Sequence, residues 1–145
     1  MSKRLGVCIV GASGAIASTL VAGVALMRRG LVPRLGMITE SEALKDLDLS
    51  PVDGMVFGGW DLLPWNMYEA AKHHGVLPLH VVDQVKDELV PLEPWPAVAS
   101  ANFLTALTGK NVVAAKDFRE EIALIQRDLE AFRRKHDLDR VVMVN

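Results

Sequence analysis

The stretch "LGVCIVGASGAIASTLVAGVALMRRG", residues 5–30, decides the fold. Its first six residues form a short apolar run with β-branched side chains and a glycine after it, which is typical of a buried strand. The alanines, leucines and valines that follow suit a helix that is apolar nearly all round, and we expect this helix to pack on both sides. Arg28 and Arg29 favour its C-terminal end, and Gly30 is expected to stop it.

The turn "GASGAIA" places Gly11, Gly14 and Ala17 three residues apart, between this strand and this helix. The first glycine permits a tight turn, the second lets the backbone approach a pyrophosphate, and the small third residue lets helix and strand pack closely. The helix N-terminus offers free N–H groups to the anion, and Ser13 and Ser18 add hydroxyl donors. The spacing departs from G-x-G-x-x-G, and a glycine-rich turn without a ligand remains the alternative.

A carboxylate for the ribose of a dinucleotide is expected at the end of the second strand, "MVFGGWD", residues 55–61. Glu40 and Glu42 fall nearer the usual distance of about twenty residues from the glycines, but in a loop. Asp61 instead ends the strand at the carboxyl edge, where ligands bind, and it favours NAD over NADP because it would repel a 2′-phosphate. Gly58 and Gly59 are expected to let something approach the backbone closely.

The remaining segments complete an α/β pattern. Residues 32–54 read as a long connection with one short helical turn, residues 64–75 as a short helix ending at Gly75, and residues 77–82 as a strand or an extended connection. Residues 85–100 contain three prolines and cannot form one regular element. The clearest helix, residues 116–139, begins with a capping box of Asp117 and Glu120. Its apolar stripe consists of Phe118, Ile122, Ile125, Leu129 and Phe132.

The elements alternate along the chain as strand, helix, strand and helix, and the strand "RVVMV" closes the pattern. This order predicts a Rossmann-like parallel sheet with crossover helices in one domain, residues 1–145. The chain stops as soon as this strand ends, so we expect a fragment or a minimal version of something longer. Trp60 is expected in the core rather than in a pocket wall. Cys8, inside the first strand, is expected to be buried and inert.

The composition limits the function classes. A net charge of -2 and a pI near 6.1 leave no basic surplus for binding nucleic acid or an anionic membrane. The sequence contains no run of eighteen apolar residues, so we expect no membrane span. A single cysteine excludes an intrachain disulfide and makes a reducing cytosol the simpler location. No histidine has metal-ligand spacing, so we expect no metal site.

Three stretches of the sequence resemble the NAD-binding region of myo-inositol-1-phosphate synthases. They are "VGASG" (residues 10–14), "STLVAGV" (residues 18–24) and "VFGGWDLLPWNMYEAA" (residues 56–71). "ASANF", residues 99–103, and the last helix and strand also follow the order of that family. The resemblance covers most of the chain, and "FGGWD" is its most specific piece.

The resemblance implies a Rossmann-type domain interrupted in sequence and a second domain that carries catalysis and tetramer contacts. The family's enzymes bind NAD, oxidise glucose 6-phosphate, close the ring by an intramolecular aldol step and reduce the product to inositol phosphate. It further implies a cytoplasmic homo-oligomer that serves inositol and phospholipid biosynthesis. The cofactor-binding residues carried over are Gly11, Ala12, Ser13, Gly14, Ala15 and Ile16 for the pyrophosphate and Asp61 for the ribose.

The chain departs from the family pattern at several positions. Eukaryotic members carry two asparagines where this chain has Ala15 and Ile16, and a glutamine and an arginine where it has Phe103 and Ala106. The family's catalytic lysines lie beyond residue 145, so no catalytic residue is identified and the chain alone is expected to be inactive. Two alternatives stay open: a related non-catalytic nucleotide-binding module, and a generic Rossmann oxidoreductase. For the latter, Tyr68 and Lys72 superficially resemble a catalytic pair.

Overall fold

The computed structural model describes residues 4–99 and 109–145, and these residues form five strands and five α-helices. The strands are β1 (Leu5–Val10), β2 (Met55–Asp61), β3 (Trp95–Ala99), β4 (Val112–Ala114) and β5 (Arg140–Val144). The helices are α1 (Ala15–Arg28), α2 (Met67–His74), α3 (Leu79–Val82), α4 (Lys86–Leu89) and α5 (Phe118–Lys135). The sequence therefore places its first strand, its glycine turn and its two longest helices where they were predicted.

All described strand pairs are parallel, in the order β4-β3-β2-β1-β5. Strand β1 pairs with β2 from Leu5↔Met55 to Val10↔Trp60, and with β5 on its other side. The strand order reverses at β1, and ligands of open α/β sheets bind at the carboxyl ends of the strands beside such a switch point. The predicted α/β Rossmann-like sheet is confirmed, and the turn after β1 lies at this edge.

Two apolar clusters cover the two faces of the sheet. Phe57 and Trp60 are three residues apart on β2, so their side chains leave opposite faces. Phe57 belongs to the larger cluster, which is built mainly from α1, α2 and the helical segment after them. Trp60 belongs to the smaller cluster with Cys8, Phe132 and Leu138, beneath α5. Helices on both faces of a parallel sheet explain why its strands are apolar on both sides.

Helix α1 packs on one side only, which contradicts the expectation of burial on both. Val21, Ala25 and Leu26 are buried against the sheet and α2, whereas Ile16 is 86% exposed and Leu20 is 47% exposed. The exposed side lines an apolar groove of about 670 Å³. Within the described residues, nothing covers this groove.

Residues 77–82 are not a strand. Pro78 precedes helix α3, a 3-10 turn (Asp83–Val85) follows, and α4 continues the helical path. The buried side chains of this segment are Val82, Val85 and Leu89, which are three and four residues apart and so share one helical face. This spacing is the signal for a helix. The long connection before β2 contains three 3-10 turns, at Ile38–Glu40, Glu42–Leu44 and Val52–Gly54, rather than one.

The two capping predictions have different outcomes. Asp117 accepts a hydrogen bond from Glu120 N at 2.9 Å, but the Glu120 carboxylate accepts from Lys116 N and not from Asp117 N. The capping box of α5 is therefore only half formed, whereas α2 has a complete one between Asn66 and Glu69. Gly75 ends α2 with a φ of 60°, as predicted.

The apolar stripe of α5 is buried only toward its C-terminal end. Phe132 is 5% exposed, whereas Phe118 is 67% exposed and Ile122 is 41% exposed. Among the described residues, no helix has both the length and the apolar character needed to cross a bilayer.

Candidate functional site

The glycine turn is fastened to the end of β2. Gly11 has a φ of 86°, a conformation that glycine adopts at little cost. The N–H groups of Gly11 and Ala12 both donate to the carbonyl oxygen of Trp60, at 2.9 and 3.0 Å. The turn therefore lies against the carboxyl end of β2, beside Asp61.

The N-terminus of α1 is open to an anion. Its N-cap, Gly14, has no side chain, and the first turn contains no acidic residue. The first-turn N–H groups of a helix, here those of Ala15, Ile16 and Ala17, have no partner within the helix. Since they carry the positive end of the helix dipole, they form a site that favours a phosphate group.

Asp61 bridges the turn and its own loop. Its Oδ2 accepts from Ser13 N at 2.9 Å, and its Oδ1 accepts from Leu63 N at 2.9 Å. An ionised carboxylate has about four lone-pair positions, so each oxygen keeps a further acceptor position. Asp61 is half-buried at the sheet edge, as the sequence predicted, but half of its hydrogen-bonding capacity is used within the chain.

Ser13 is 2% exposed, and its polar groups are all engaged. Its Oγ donates to the carbonyl oxygens of Trp65, at 2.9 Å, and Leu63, at 3.3 Å. Its own carbonyl oxygen accepts from Nε2 of His74 at 2.9 Å. The Ser18 hydroxyl donates to Ala15 O at 3.2 Å. Both hydroxyls are therefore bonded within the chain, and their donation to an anion stays a prediction.

The two glycines of "FGGWD" make room for the protein itself. A Cβ atom on Gly59 would lie 2.0 Å from the carbonyl oxygen of Ile9, and Gly59 has a φ of 152°. A Cβ atom on Gly58 would lie 2.7 Å from the ring of Trp95 and 3.1 Å from that of Phe132. The close approach predicted at this edge is thus made by β1 and by two aromatic rings.

Trp60 and Cys8 are core residues, as predicted. Trp60 is 5% exposed, its Nε1 donates to Asp128 Oδ2 at 2.9 Å, and its ring packs edge-on against Trp95. Cys8 is fully buried, and this burial raises the pKa of its thiol to about 11. Since the thiolate is the nucleophile and metal ligand, Cys8 is chemically quiet at neutral pH.

The pair Tyr68 and Lys72 does not form a catalytic arrangement. The Tyr68 hydroxyl donates to Asp83 Oδ1 at 2.8 Å, and this hydrogen bond raises the pKa of Tyr68. A catalytic tyrosine base needs a lowered pKa. Residues 4–99 and 109–145 also contain no group of three or more histidine, cysteine, aspartate or glutamate side chains that could hold a metal ion. Phe103 and Ala106 lie outside the described residues.

Sequence reasoning missed His74. In the sequence, the adjacent histidines 73 and 74 were considered only as metal ligands, and their spacing does not suit that role. The contact between His74 and Ser13 spans 61 residues and depends on how α2 packs beside the turn. The signal in the sequence was that Gly75 places His74 at the end of a helix, and that this helix follows the strand that ends in Asp61.

Comparison with known proteins gives one family. The sequence model of the NAD-binding domain of myo-inositol-1-phosphate synthase matches residues 5–145. Inositol-3-phosphate synthase 1 of Bacteroides thetaiotaomicron is 35% identical over 152 residues, which cover 97% of this chain and 35% of that protein. Inositol-3-phosphate synthase 1 of Oryza sativa is 26% identical over 168 residues, covering 97% of this chain and 33% of its own length. The chain thus spans about a third of these relatives.

Solved structures show the same fold. The crystal structure of inositol-3-phosphate synthase from Caenorhabditis elegans superposes with a TM-score of 0.81 at 18% identity, over 99% of this chain and 34% of that one. A myo-inositol-1-phosphate synthase-related protein from Thermotoga maritima gives 0.52 at 16% identity, over 97% and 34%. At these identities, the likeness is one of fold.

Proposed function

Because the chain belongs to the myo-inositol-1-phosphate synthase family, as its NAD-binding region, we propose that it holds NAD between its glycine turn and Asp61. The family match confirms both the resemblance and NAD as the cofactor. We further propose that residues 1–145 act as one cofactor-binding domain of an isomerase that converts glucose 6-phosphate to an inositol phosphate.

The observation that carries the proposal is the open N-terminus of α1 beside a carboxylate at the switch edge of the sheet. The N–H groups of Gly11, Ala12, Ser13 and Gly14 all donate within the chain. These four residues therefore shape the turn, and the first-turn N–H groups of Ala15, Ile16 and Ala17 are the donors left for a pyrophosphate.

Asp61 has acceptor positions left for a ribose. Two of its lone-pair positions take the N–H groups of Ser13 and Leu63, and the others remain for the hydroxyls of an adenosine ribose. A 2′-phosphate at the same place would meet this negative charge. The proposal therefore favours NAD over NADP.

The proposed isomerase reaction needs more chemistry than the cofactor-binding residues supply. Bound NAD would take a hydride from the sugar phosphate and return it later in the same cycle. We assign no catalytic residue to this chain, because the described part offers none suited to the aldol step. A cytoplasmic homo-oligomer is part of the proposal. The buried, reduced Cys8 and the exposed apolar side of α1 suit a reducing compartment and a larger assembly.

Calorimetric titration of the 145-residue chain with NAD, and in parallel with NADP, tests the proposal. We expect saturable binding of NAD and weaker binding of NADP. Circular dichroism of the same sample establishes that the chain is folded. A folded chain that binds neither nucleotide contradicts the proposed role of the glycine turn and Asp61.

A further inference from the structure

His74 contacts the glycine turn from outside the turn itself. It is the last residue of α2, and Gly75 ends the helix directly after it. The carbonyl oxygen of Ser13 can only accept, so Nε2 of His74 carries the proton of their 2.9 Å hydrogen bond. The rings of His73, at 5.2 Å, and Trp65, at 6.4 Å, lie edge-on to the His74 ring and limit its orientation.

This hydrogen bond sets the direction of one peptide group. In a planar trans peptide, the C=O and N–H point in opposite directions. The N–H of Gly14 donates to Gly11 O at 2.9 Å, inside the turn, while the carbonyl of Ser13 faces His74. The Ser13–Gly14 peptide is therefore held at both ends, immediately before the first N–H groups of α1.

The orientation of this peptide matters for an anion at the helix N-terminus. A carbonyl oxygen carries partial negative charge, and one turned toward a phosphate would repel it. Without His74, the Ser13 carbonyl would lose its partner, and the peptide could rotate more freely. The other groups of Ser13 are held by Asp61, Trp65 and Leu63, and among the residues that the structure describes His74 supplies the one bond to its carbonyl.

We infer that His74 is a positioning residue for cofactor binding: its Nε2–H holds the Ser13 carbonyl away from the bound pyrophosphate and fixes the turn. This inference rests on the proposed NAD-binding role of the glycine turn. His74 acts through Ser13 and is not assigned a contact with the cofactor.

Three variants test the inference by NAD titration. His74→Ala removes the donor, and we expect the Kd for NAD to rise about five- to tenfold, as for one lost hydrogen bond. His74→Gln places an amide N–H at a similar reach, and we expect its Kd to return to within about twofold of the original chain. His80→Ala is the matched control, since no hydrogen bond of the His80 side chain occurs within the described residues, and its Kd should stay unchanged.

Amide hydrogen exchange of the free chain gives a readout that needs no cofactor. In His74→Ala, the Gly14 amide should exchange roughly fivefold faster, while the amides of β1 keep their protection, because only the turn loosens. A merely structural role would change β1 and the turn together.

The outcomes separate the two proposals. If the original chain binds no NAD, the proposed function fails, and Gly14 exchange still decides whether His74 holds the turn. If the chain binds NAD but His74→Ala leaves both the Kd and the Gly14 exchange unchanged, the inference is overturned. It is also overturned if His74→Gln binds NAD no better than His74→Ala, because the donor would then not matter.

Discussion

The backbone N–H of Ser13 donates to the carboxylate of Asp61 at 2.9 Å, across 48 residues of sequence. The residue proposed to bind the ribose thus also holds the turn proposed to bind the pyrophosphate. Hydrogen bonds to ionised groups are about twice as strong as those between neutral groups. Removing this carboxylate is therefore expected to act on both halves of the cofactor site.

Asp61→Ala should weaken NAD binding by about 1–3 kcal/mol, because it removes the ribose acceptor and releases Ser13. Asp61→Asn keeps an oxygen that can accept from Ser13 N but removes the negative charge. We therefore expect Asp61→Asn to lose less affinity for NAD than Asp61→Ala does. We also expect its Kd values for NAD and NADP to differ less than those of the original chain. Calorimetric titration with both nucleotides measures these effects.

The control for these variants is Asp46→Ala, an exposed acid in the connection between α1 and β2. It should bind NAD as the original chain does. Equal losses of NAD affinity in Asp61→Ala and Asp46→Ala would show that general charge, and not the position of Asp61, is responsible.

Gly59→Ala should destabilise the fold by more than about 3 kcal/mol, since its Cβ would lie 2.0 Å from the backbone oxygen of Ile9 and its φ is 152°. Gly23→Ala is the matched change. Gly23 lies inside α1 with nothing within 4 Å of an added Cβ, so the substitution should stabilise by about 0.5–1 kcal/mol. Urea denaturation of both variants measures the free energy of unfolding. Similar values for the two would contradict the packing described for β1 and β2.

The elements with local signals were predictable from the sequence. The strand–turn–helix of residues 5–30 and the acid that ends β2 follow from apolar runs and glycines, and Gly30 and Gly75 both have positive φ beyond their helices. In "FGGWD", the sequence indicated a close approach but not the partner. Only the register of β1 against β2 places Ile9 beside Gly59.

The details of the site depend on tertiary contacts that no local pattern encodes. A buried serine hydroxyl donates a hydrogen bond to a carbonyl oxygen that the fold places near it. For Ser13, these oxygens belong to Trp65 and Leu63. The same holds for His74, whose contact depends on the packing of α2. Apolar composition likewise could not show that one side of α1 stays exposed.

The buried thiol of Cys8 makes stability fall with pH in the alkaline range. Its pKa is raised from 9.0 to about 11 in the folded chain, so above pH 9 the unfolded chain releases a proton that the folded chain keeps. The free energy of unfolding should therefore decrease between about pH 9 and 11, by up to about 2 kcal/mol. Urea denaturation at several pH values measures this slope.

Cys8→Ala provides the comparison for the pH series. At neutral pH it should be less stable because it leaves a cavity in the core, but its pH slope should be shallower by the contribution of the thiol. Identical slopes for the two proteins would mean that Cys8 titrates alike in the folded and unfolded chains.

Ser13→Ala distinguishes an internal role of the Ser13 hydroxyl from a contact with the cofactor. The hydroxyl is buried and donates to Trp65 O and Leu63 O, so its loss should cost about 1–2 kcal/mol of unfolding free energy. In its bonds with Asp61 and His74, Ser13 takes part through its backbone N–H and carbonyl oxygen. These two bonds therefore survive the substitution. We therefore expect the Kd for NAD to change less than about threefold at a temperature where the variant is folded. Ser18→Ala is the matched control, because within residues 4–99 and 109–145 its hydroxyl bonds only to Ala15 O, one turn earlier in α1. If Ser13→Ala instead keeps its stability and loses NAD affinity at least tenfold, the hydroxyl serves the pyrophosphate directly. The turn would then have to rearrange when the cofactor binds.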